Sequence, residues 1–279
     1  MVHAFSFHAP VAMAVNNVTE APFFFSPVFH SSGHSALANA AHVLYRPLAR
    51  RVFNRADSVL CLSHAERKEV LELYPFCEDW ARVVPLAVDE TRFTGLVPFD
   101  VGVPVILSAG RLDSYKRVDL VINAMQVIGE SARLVICGAG PDEPRLRHLI
   151  SERGVGKAVD FVGAVSDEDL RRWQLTAAVT VSLSTRESFG LSLAEAIVAG
   201  SAIVASDIPA HREMADVMGA VPRFLPMTAD ATEVASALSD ALRVGRPIPS
   251  VRAHREWSDV ARDTIAIYEG AISHPRGGQ

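Results

Sequence analysis

The sequence lacks a hydrophobic run long enough to cross a membrane. Hydrophobic residues make up 49% of the 279 residues, yet no stretch reaches the ~18 consecutive apolar residues that mark a membrane-spanning helix. The N-terminus has no positively charged start ahead of its apolar stretch and does not resemble a signal peptide. We therefore expect a cytoplasmic protein with a packed core.

Cysteine is scarce, and its spacing excludes a disulfide framework. The three cysteines are Cys61, Cys77 and Cys137, and they form neither a C-x-x-C pair nor an even-numbered set. Cys61 and Cys137 lie inside apolar runs, where a reduced thiol behaves as a small hydrophobic side chain. Buried, reduced cysteines agree with a cytoplasmic protein.

The sequence also lacks the basic excess of a nucleic-acid-binding protein. Its formal net charge is −5, and no lysine or arginine cluster dominates a segment, so no nucleic-acid partner is expected. The densest basic string is Arg46, Arg50, Arg51 and Arg55. We interpret it as the solvated face of one amphipathic helix, with a peripheral contact to an anionic membrane surface as the alternative.

From about residue 101 the sequence alternates between short β-branched runs and amphipathic stretches of helical spacing. The predicted strands are 103–110, 132–140, 158–165, 178–184 and 201–206, and the predicted helices 117–129, 142–153, 167–175, 190–200 and 209–217. Asp142, Ser166 and Asp207 stand where helix caps are expected. This alternation predicts a buried parallel sheet, whose ligands bind beyond the carboxyl ends of the strands.

Residues 1–85 predict part of another α/β layer, with about four strand-like pieces and helices at roughly 36–55 and 63–73. Residues 86–101 have no clear period and read as a linker. A last amphipathic helix covers 257–272. We therefore divide the chain into a partial first Rossmann-like domain (1–95), a ligand-binding Rossmann-like domain (96–255), and a C-terminal helix with its tail (256–279).

A glycine and two cations follow the first strand of the second domain. Gly110 allows a sharp turn, and Arg111 and Lys116 then lie in the loop or first turn of the next helix. Cations beside a helix N-terminus favour a diphosphate, since backbone N–H groups and the helix dipole attract anions there. A solvated basic loop is the alternative.

The segment 187–195 follows the fourth strand and contains two glutamates. Glu187 is predicted on a loop, and Glu195 in the second turn of a helix that begins near Gly190. A carboxylate offers paired acceptors that suit two adjacent sugar hydroxyls. Glu195 stands among more apolar neighbours than a surface glutamate usually has, although an ordinary surface position is the alternative.

The sequence contains only the first two glycines of the dinucleotide-binding motif G-x-G-x-x-G. Gly138-Ala139-Gly140 follows a strand, but Glu143 stands where that motif requires glycine or alanine. The sequence therefore does not favour a nicotinamide-dependent enzyme.

Five motifs occur in order at compatible spacing and are typical of one family. They are G-R-L with Lys116, G-A-G-P, F-V-G-x-V-x-D-E-x-L, E-S-F-G-L-x3-E-A and A-G-x-x-I-V-A-S-D, within residues 102–215. The upstream pieces R-A-D-S-V-L-C-L-S and V-V-P-L-A-V-D-x-x-R-F fit the same family. The sequence resembles the family 4 retaining glycosyltransferases, which implies an α/β fold of GT-B type with two Rossmann-like parallel-sheet domains facing a cleft.

The resemblance implies roles for single residues. Arg111 and Lys116 would bind the donor diphosphate, Glu187 the transferred sugar, and Glu195 the ribose hydroxyls. The remaining donor-binding positions are Gly110, Gly138, Gly140, Val165, Ser188, Phe189, Gly190 and Leu191. The family needs neither a metal nor a cofactor besides the nucleotide sugar, because the two cations supply positive charge.

His30 is the candidate catalytic residue outside the second domain. It ends a strand-like run and precedes Ser31-Ser32-Gly33, and the family often has a histidine there, close to the reacting sugar. A surface loop histidine is the alternative. His8 and His34 are weaker candidates for the same cleft.

The start of the first domain departs from the family. The opening segment, from Val2 onward, resembles a strand that lies well inside the N-terminal domain of family members. An incomplete sheet would expose strand edges and leave Phe23, Phe24, Phe25 and Phe29 without partners. We therefore expect the first lobe to be the less stable one and to favour self-association. Three functions stay open: an active transferase acting on a sugar or lipid-linked acceptor, a donor-binding module without turnover, and a GT-B epimerase or phosphorylase.

Overall fold

The computed structural model describes residues 1–6, 21–29, 36–246 and 255–274, with the backbone alone for 36–43. By its contacts the chain divides into two compact units. The first unit comprises Met1–Ala87, Glu187–Phe189 and Arg255–Gln279, and the second comprises Val88–Arg186 and Gly190–His254. Each unit contains a parallel β-sheet, which confirms the predicted α/β class.

The strands and helices of the described residues are numbered in chain order. The strands are β1 (Val2–Phe5), β2 (Phe23–Ser26), β3 (Ser58–Cys61), β4 (Ala81–Val83), β5 (Val105–Ala109), β6 (Arg133–Cys137), β7 (Val159–Gly163), β8 (Ala177–Ser182), β9 (Ala202–Ser206) and β10 (Arg223–Leu225). The helices are α1 (Ala36–Arg55), α2 (His64–Leu73), α3 (Val118–Ile128), α4 (Glu143–Glu152), α5 (Asp167–Thr176), α6 (Leu191–Val198), α7 (Pro209–Met218), α8 (Ala231–Val244) and α9 (Trp257–Ser273).

The first unit is built on a sheet whose described strands run parallel in the order β1-β2-β3-β4. One face of this sheet packs against aromatic side chains of α1 and of the segment after α2. The ring of Phe53 lies 5.2 Å from that of Phe25 and 4.3 Å from that of Tyr74. This face therefore holds an aromatic core, which also includes Phe23 and Phe29.

The other face of the first sheet is covered by α9. The ring of Tyr268 lies 4.4 Å from that of Phe24, and Val260 joins the same cluster. The hydroxyl of Tyr268 also shares a 2.5 Å hydrogen bond with Nδ1 of His3, whose pKa burial lowers to about 4. The end of the described chain thus packs beside its beginning.

This packing corrects one expectation. Phe23, Phe24, Phe25 and Phe29 were expected to lack partners, but each is at most 1% exposed. The prediction was wrong because α9 covers Phe24, while α1 and the segment after α2 pack on the other three rings.

A buried glutamate connects the loops that follow β2 and β3. Ser63 caps α2 by accepting from the backbone N–H of Glu66. The Glu66 carboxylate accepts from the N–H of Phe29 at 2.5 Å and from that of Leu62 at 2.6 Å. Burial raises the pKa of Glu66 to about 7, although both N–H bonds act in the opposite direction.

The second unit has a sheet of parallel strands in the order β10-β9-β8-β5-β6-β7. The five strands and five helices predicted after residue 101 are confirmed to within a few residues. The predicted cap Ser166 accepts from the N–H of Asp169. Asp142 occupies the N-cap position before α4, as predicted, but its side chain makes no capping hydrogen bond. The cap at Asp207 was wrong: Ile208 occupies that position, and Asp207 instead binds the guanidinium of Arg212.

Two elements of the second unit were not predicted. Strand β10 has only three residues, too few to show a period. Helix α8 begins with a capping box between Asp230 and Glu233, a signal that the sequence contains. Helix α8 packs against the sheet with α3, and its Val234 and Leu238 are fully buried.

At the carboxyl edge of the second sheet, the loops after β5 and β6 lie against each other. Ala109 pairs with Cys137 in register, so both loops start side by side. The N–H of Leu112 donates to the carbonyl of Ala139 at 3.0 Å. A Cβ added at Gly140 would lie 2.3 Å from the carbonyl oxygen of Leu112, and one at Gly138 would lie 1.8 Å from that of Gly110.

Gly140→Ala should therefore destabilise the second unit. Its methyl group would meet backbone atoms of Leu112, which cannot move aside as a side chain can. We expect a loss of about 1–3 kcal/mol in the free energy of unfolding, measured by urea denaturation. Gly156→Ala is the matched control, since a Cβ there meets nothing within 4 Å. Equal losses in both variants would contradict this account.

Glu66 should make stability depend on pH. Between about pH 4.5 and pH 7 the folded protein holds a proton on Glu66 that the unfolded chain has released. Its contribution to the free energy of unfolding therefore falls as the pH rises through this window, by on the order of 3 kcal/mol. His3 contributes with the opposite sign, because its pKa is lowered from 6.5 to about 4.

The contribution of Glu66 is therefore measured as the difference in free energy of unfolding between the parent and a Glu66 variant. Urea unfolding of the parent and of Glu66→Gln at pH 5 and pH 8 isolates Glu66, since His3 is present in both. We expect the parent to lose its advantage over Glu66→Gln as the pH rises. Glu72→Gln, an exposed position on the same helix, should show no such trend, and a pH-independent difference for Glu66→Gln would refute the linkage.

Candidate functional site

The candidate site lies at the carboxyl edge of the second sheet, above its central strands. After β5 the chain builds β6 and β7 on one side, and β8 then pairs with the other side of β5. Parallel α/β sheets bind ligands at such a reversal of strand order. The loops that leave β5 and β8 contain the two segments singled out from the sequence, residues 110–116 and 187–195.

The loop after β5 presents Arg111 in a fixed orientation. Its Nε and Nη2 atoms each lie 3.0 Å from Oδ2 of Asp113. The Asp113 side chain is 1% exposed, whereas that of Arg111 is 64% exposed. A buried carboxylate thus holds the guanidinium at the surface, and the sequence analysis did not assign this role to Asp113.

Lys116 lies close to the same loop. It ends a short 3₁₀ turn, Ser114–Lys116, two residues before α3 begins at Val118. Its Nζ lies 5.2 Å from the ring centre of Tyr115, and a Cβ at Gly110 would be 4.0 Å from it. Gly110, Arg111 and Lys116 line one shallow depression together with residues at the ends of β5 and β8.

The loop after β8 adds a cation that the sequence analysis missed. The N–H of Thr185 donates to the carbonyl of Tyr115 at 2.9 Å, which fastens this loop to the one after β5. The guanidinium carbon of Arg186 lies 4.7 Å from the ring centre of Tyr115. Tyr115 therefore lies beside both Lys116 and Arg186, and the local charge favours an anionic ligand.

The segment 187–195 divides between the two units. Glu187, Ser188 and Phe189 group with the first unit, where the hydroxyl of Ser188 donates to the carbonyl of Phe29 at 3.4 Å. Gly190 belongs to the second unit and precedes α6 with a φ of 99°, a conformation that glycine adopts without strain. A Cβ at Gly190 would also lie 3.3 Å from the ring of the buried His211.

Glu195 lies on α6, and two side chains of α5 bind it. Oε2 of Glu195 is 2.9 Å from Nη1 of Arg171 and accepts from Nε2 of Gln174 at 2.9 Å. The side chains of Arg171 and Glu195 are 5% and 13% exposed. Glu195 is largely buried, as its apolar sequence neighbours indicated, but nothing in the sequence indicated this ion pair.

The remaining predicted site residues lie around the loops after β5 and β8 or outside the described residues. Gly138 and Gly140 contact the loop after β5, as described above. Val165 is half-buried and packs with the apolar cluster of β5 and β6. Leu191 is exposed at the start of α6. His30, like His8 and His34, lies outside the described residues.

The described residues contain neither a membrane-spanning helix nor a group of metal ligands. None of their helices combines the length and apolar character needed to cross a membrane. No group of three or more histidine, cysteine, aspartate or glutamate side chains within the described part of the chain has the geometry to hold a metal ion.

Comparison with known proteins gives matches over both parts of the sequence. The family model described as glycosyl transferases group 1 matches residues 95–244, and the model described as Glycosyltransferase Family 4 matches residues 1–92. A D-inositol 3-phosphate glycosyltransferase from Xylanimonas cellulosilytica is 29% identical over 244 residues, which cover 79% of this chain and 58% of that protein. An MMP alpha-(1->4)-mannosyltransferase from Mycolicibacterium hassiacum is 28% identical over 238 residues, covering 81% and 57%.

Solved structures show the same fold. Sucrose-phosphate synthase from Thermosynechococcus elongatus matches with a TM-score of 0.80 at 19% identity, over 97% of this chain and 73% of that one. The Anabaena protein HepE, in complex with UDP-glucose, matches with a TM-score of 0.72 at 16% identity, over 97% and 78%. The GT-B fold class predicted from the sequence is thereby confirmed.

The chain spans less than two thirds of the length of the curated relatives named above. The group 1 model nevertheless covers more than half of the chain, including the loops after β5 and β8. This chain therefore belongs to the glycosyl transferases group 1 family, as the resemblance to family 4 glycosyltransferases predicted.

Proposed function

We propose that this chain binds a nucleotide sugar at the carboxyl edge of its second sheet and transfers the sugar to an acceptor with retention of configuration. The observation that carries the proposal is the pairing of an exposed, oriented guanidinium with a nearby ammonium at the reversal of strand order, on Arg111 and Lys116. Family membership supports the same reading, as does the UDP-glucose bound by the structural relative HepE.

The donor diphosphate would lie against the loop after β5. Arg111 offers a planar fork of N–H donors to phosphate oxygens, and Lys116 adds a point charge. Asp113 keeps the guanidinium oriented before the ligand arrives, so less conformational entropy is lost on binding. Arg186 contributes further positive charge beside Tyr115.

The same cations would act on the chemical step. As the bond from the sugar to the diphosphate breaks, negative charge grows on the leaving group and positive charge on the sugar. Arg111 and Lys116 stabilise the leaving group, and each such contact is worth roughly 10²–10³ in rate. We propose a metal-independent reaction on this ground, because the cations already supply the charge that a divalent ion supplies elsewhere.

The remaining assignments rest on the family resemblance. Glu187 and the backbone of 188–191 would contact the transferred sugar and its phosphate, and Glu195 the ribose. Val165 would lie against the base. His30 remains a predicted catalytic residue. A sugar or lipid-linked acceptor, a weak peripheral membrane contact and self-association of the first unit also remain predictions.

Donor binding should be visible as thermal stabilisation. A nucleotide sugar at about 100 times its dissociation constant adds about 2.7 kcal/mol, which raises the melting temperature by on the order of 5 °C or more. We expect this shift with one of the UDP-, GDP- or ADP-sugars and expect Lys116→Ala and Glu195→Ala to reduce it. Lys157→Ala and Glu152→Ala replace exposed residues of the same types and should leave it unchanged.

Absence of a shift with every donor, in a chain shown to be folded, would overturn the donor site. A shift that survives in Lys116→Ala would remove that lysine from it.

Turnover should appear as release of the nucleoside diphosphate when the sugar of the bound donor passes to the hydroxyl of an added sugar acceptor or, more slowly, to water. We expect Lys116→Ala to slow this release by roughly 10²–10³-fold and expect EDTA to leave it unchanged. A coupled assay for the free diphosphate measures both. Loss of release in EDTA, restored by added magnesium, would refute metal independence; binding with no release would support the donor-binding module instead.

A further inference from the structure

A compact polar cluster on α5 and α6 is buried beside the proposed donor site. We define the α5 clamp as Arg171 and Gln174, which lie one turn apart on α5. Nη1 of Arg171 is 2.9 Å from Oε2 of Glu195 and donates to Oε1 of Gln174 at 3.0 Å. Nε2 of Gln174 donates to the same carboxylate oxygen at 2.9 Å. The three side chains therefore form a closed triangle.

The clamp constrains Glu195 strongly. Arg171 is 4% exposed and Gln174 is 0% exposed, so protein atoms surround both side chains. The guanidinium carbon of Arg171 also lies 5.5 Å from the ring centre of Phe93. Both bonds to the carboxylate reach Oε2, which leaves Oε1 as the oxygen that a ligand hydroxyl would approach.

Stability alone gives a poor reason for such a cluster. Apolar side chains of similar volume pack helices at least as well as a buried ion pair, because desolvating two charges offsets most of their attraction. A carboxylate that must meet a ligand is a different case, since it needs a fixed orientation and a charged partner. The clamp supplies both.

We propose that Arg171 and Gln174 are positioning residues that orient Glu195 toward the hydroxyls of a ribose and so make the site select ribonucleotides over 2′-deoxyribonucleotides. This inference rests on the donor site proposed above. A site built to bind a hydroxyl discriminates against the analogue that lacks it, because the buried acceptor is then left unpaired. Discrimination should therefore depend on how firmly Glu195 is held.

The probes are UDP, GDP and ADP, each compared with its 2′-deoxy counterpart. Isothermal titration calorimetry gives a dissociation constant for each member of the pair that binds. We expect the parent protein to prefer the ribonucleotide by about tenfold or more. Gln174→Leu should bring this preference close to one while changing the affinity for the 2′-deoxy compound little.

Arg171→Met should have the same effect on the preference, but it leaves Glu195 without its counter-ion and endangers folding. Gln174→Leu keeps that ion pair and provides the independent test. Arg172→Met, the neighbouring position on α5, is the matched control. Arg172 pairs with Asp169 and donates to the carbonyl of Val97, so its loss should leave the preference unchanged.

The outcomes separate the two proposals. If the parent binds a diphosphate and Lys116→Ala weakens it, but Gln174→Leu keeps the ribose preference, the clamp is merely structural and the donor site stands. If Gln174→Leu instead loses equal affinity for the ribonucleotide and for its 2′-deoxy counterpart, the conclusion is the same. If the parent binds none of the three diphosphates, both proposals are overturned.

Discussion

The contact between the loops after β5 and β6 is the constraint on which the second unit's site depends. Two backbones run so close together at the carboxyl edge of the sheet that no side chain fits between them. A Cβ at Gly138 would overlap the carbonyl of Gly110, and one at Gly140 would overlap that of Leu112. Because this contact fixes Gly110 and Leu112, it also fixes the direction in which Arg111 leaves the loop.

Side chains also restrict the orientation of Arg111. Asp113 is buried, and both of its contacts with Arg111 use one carboxylate oxygen. Glu195 is likewise held through one oxygen, by Arg171 and Gln174 on another helix. In each case a buried group holds a charged side chain that we propose to contact the donor. Such preorganisation reduces the entropy lost when the ligand binds.

Much of this could be predicted from the sequence, since hydrophobic period and motif order are local signals. They placed the strands after residue 101, the loop of Arg111 and the helix of Glu195. The sequence predicted that Gly138 and Gly140 line the phosphate site. The structure adds a second reason for glycine at these positions, because each lies against backbone atoms of the loop after β5. The clamp could not be foreseen, because Arg171 and Arg172 are adjacent arginines in one helix, and only the packing of α5 on α6 makes one buried and the other half-exposed.

Helix α9 has a consequence for the order in which the chain acquires its structure. The second unit is encoded by Val88–Arg186 and Gly190–His254, so its sheet can close while the protein is still being synthesised. The first unit must wait, because Phe24 and Leu60 on one face of its sheet are covered by Val260 and Tyr268. During synthesis this apolar face therefore stays open until α9 has left the ribosome, so strands that are made before the second unit are covered only after it.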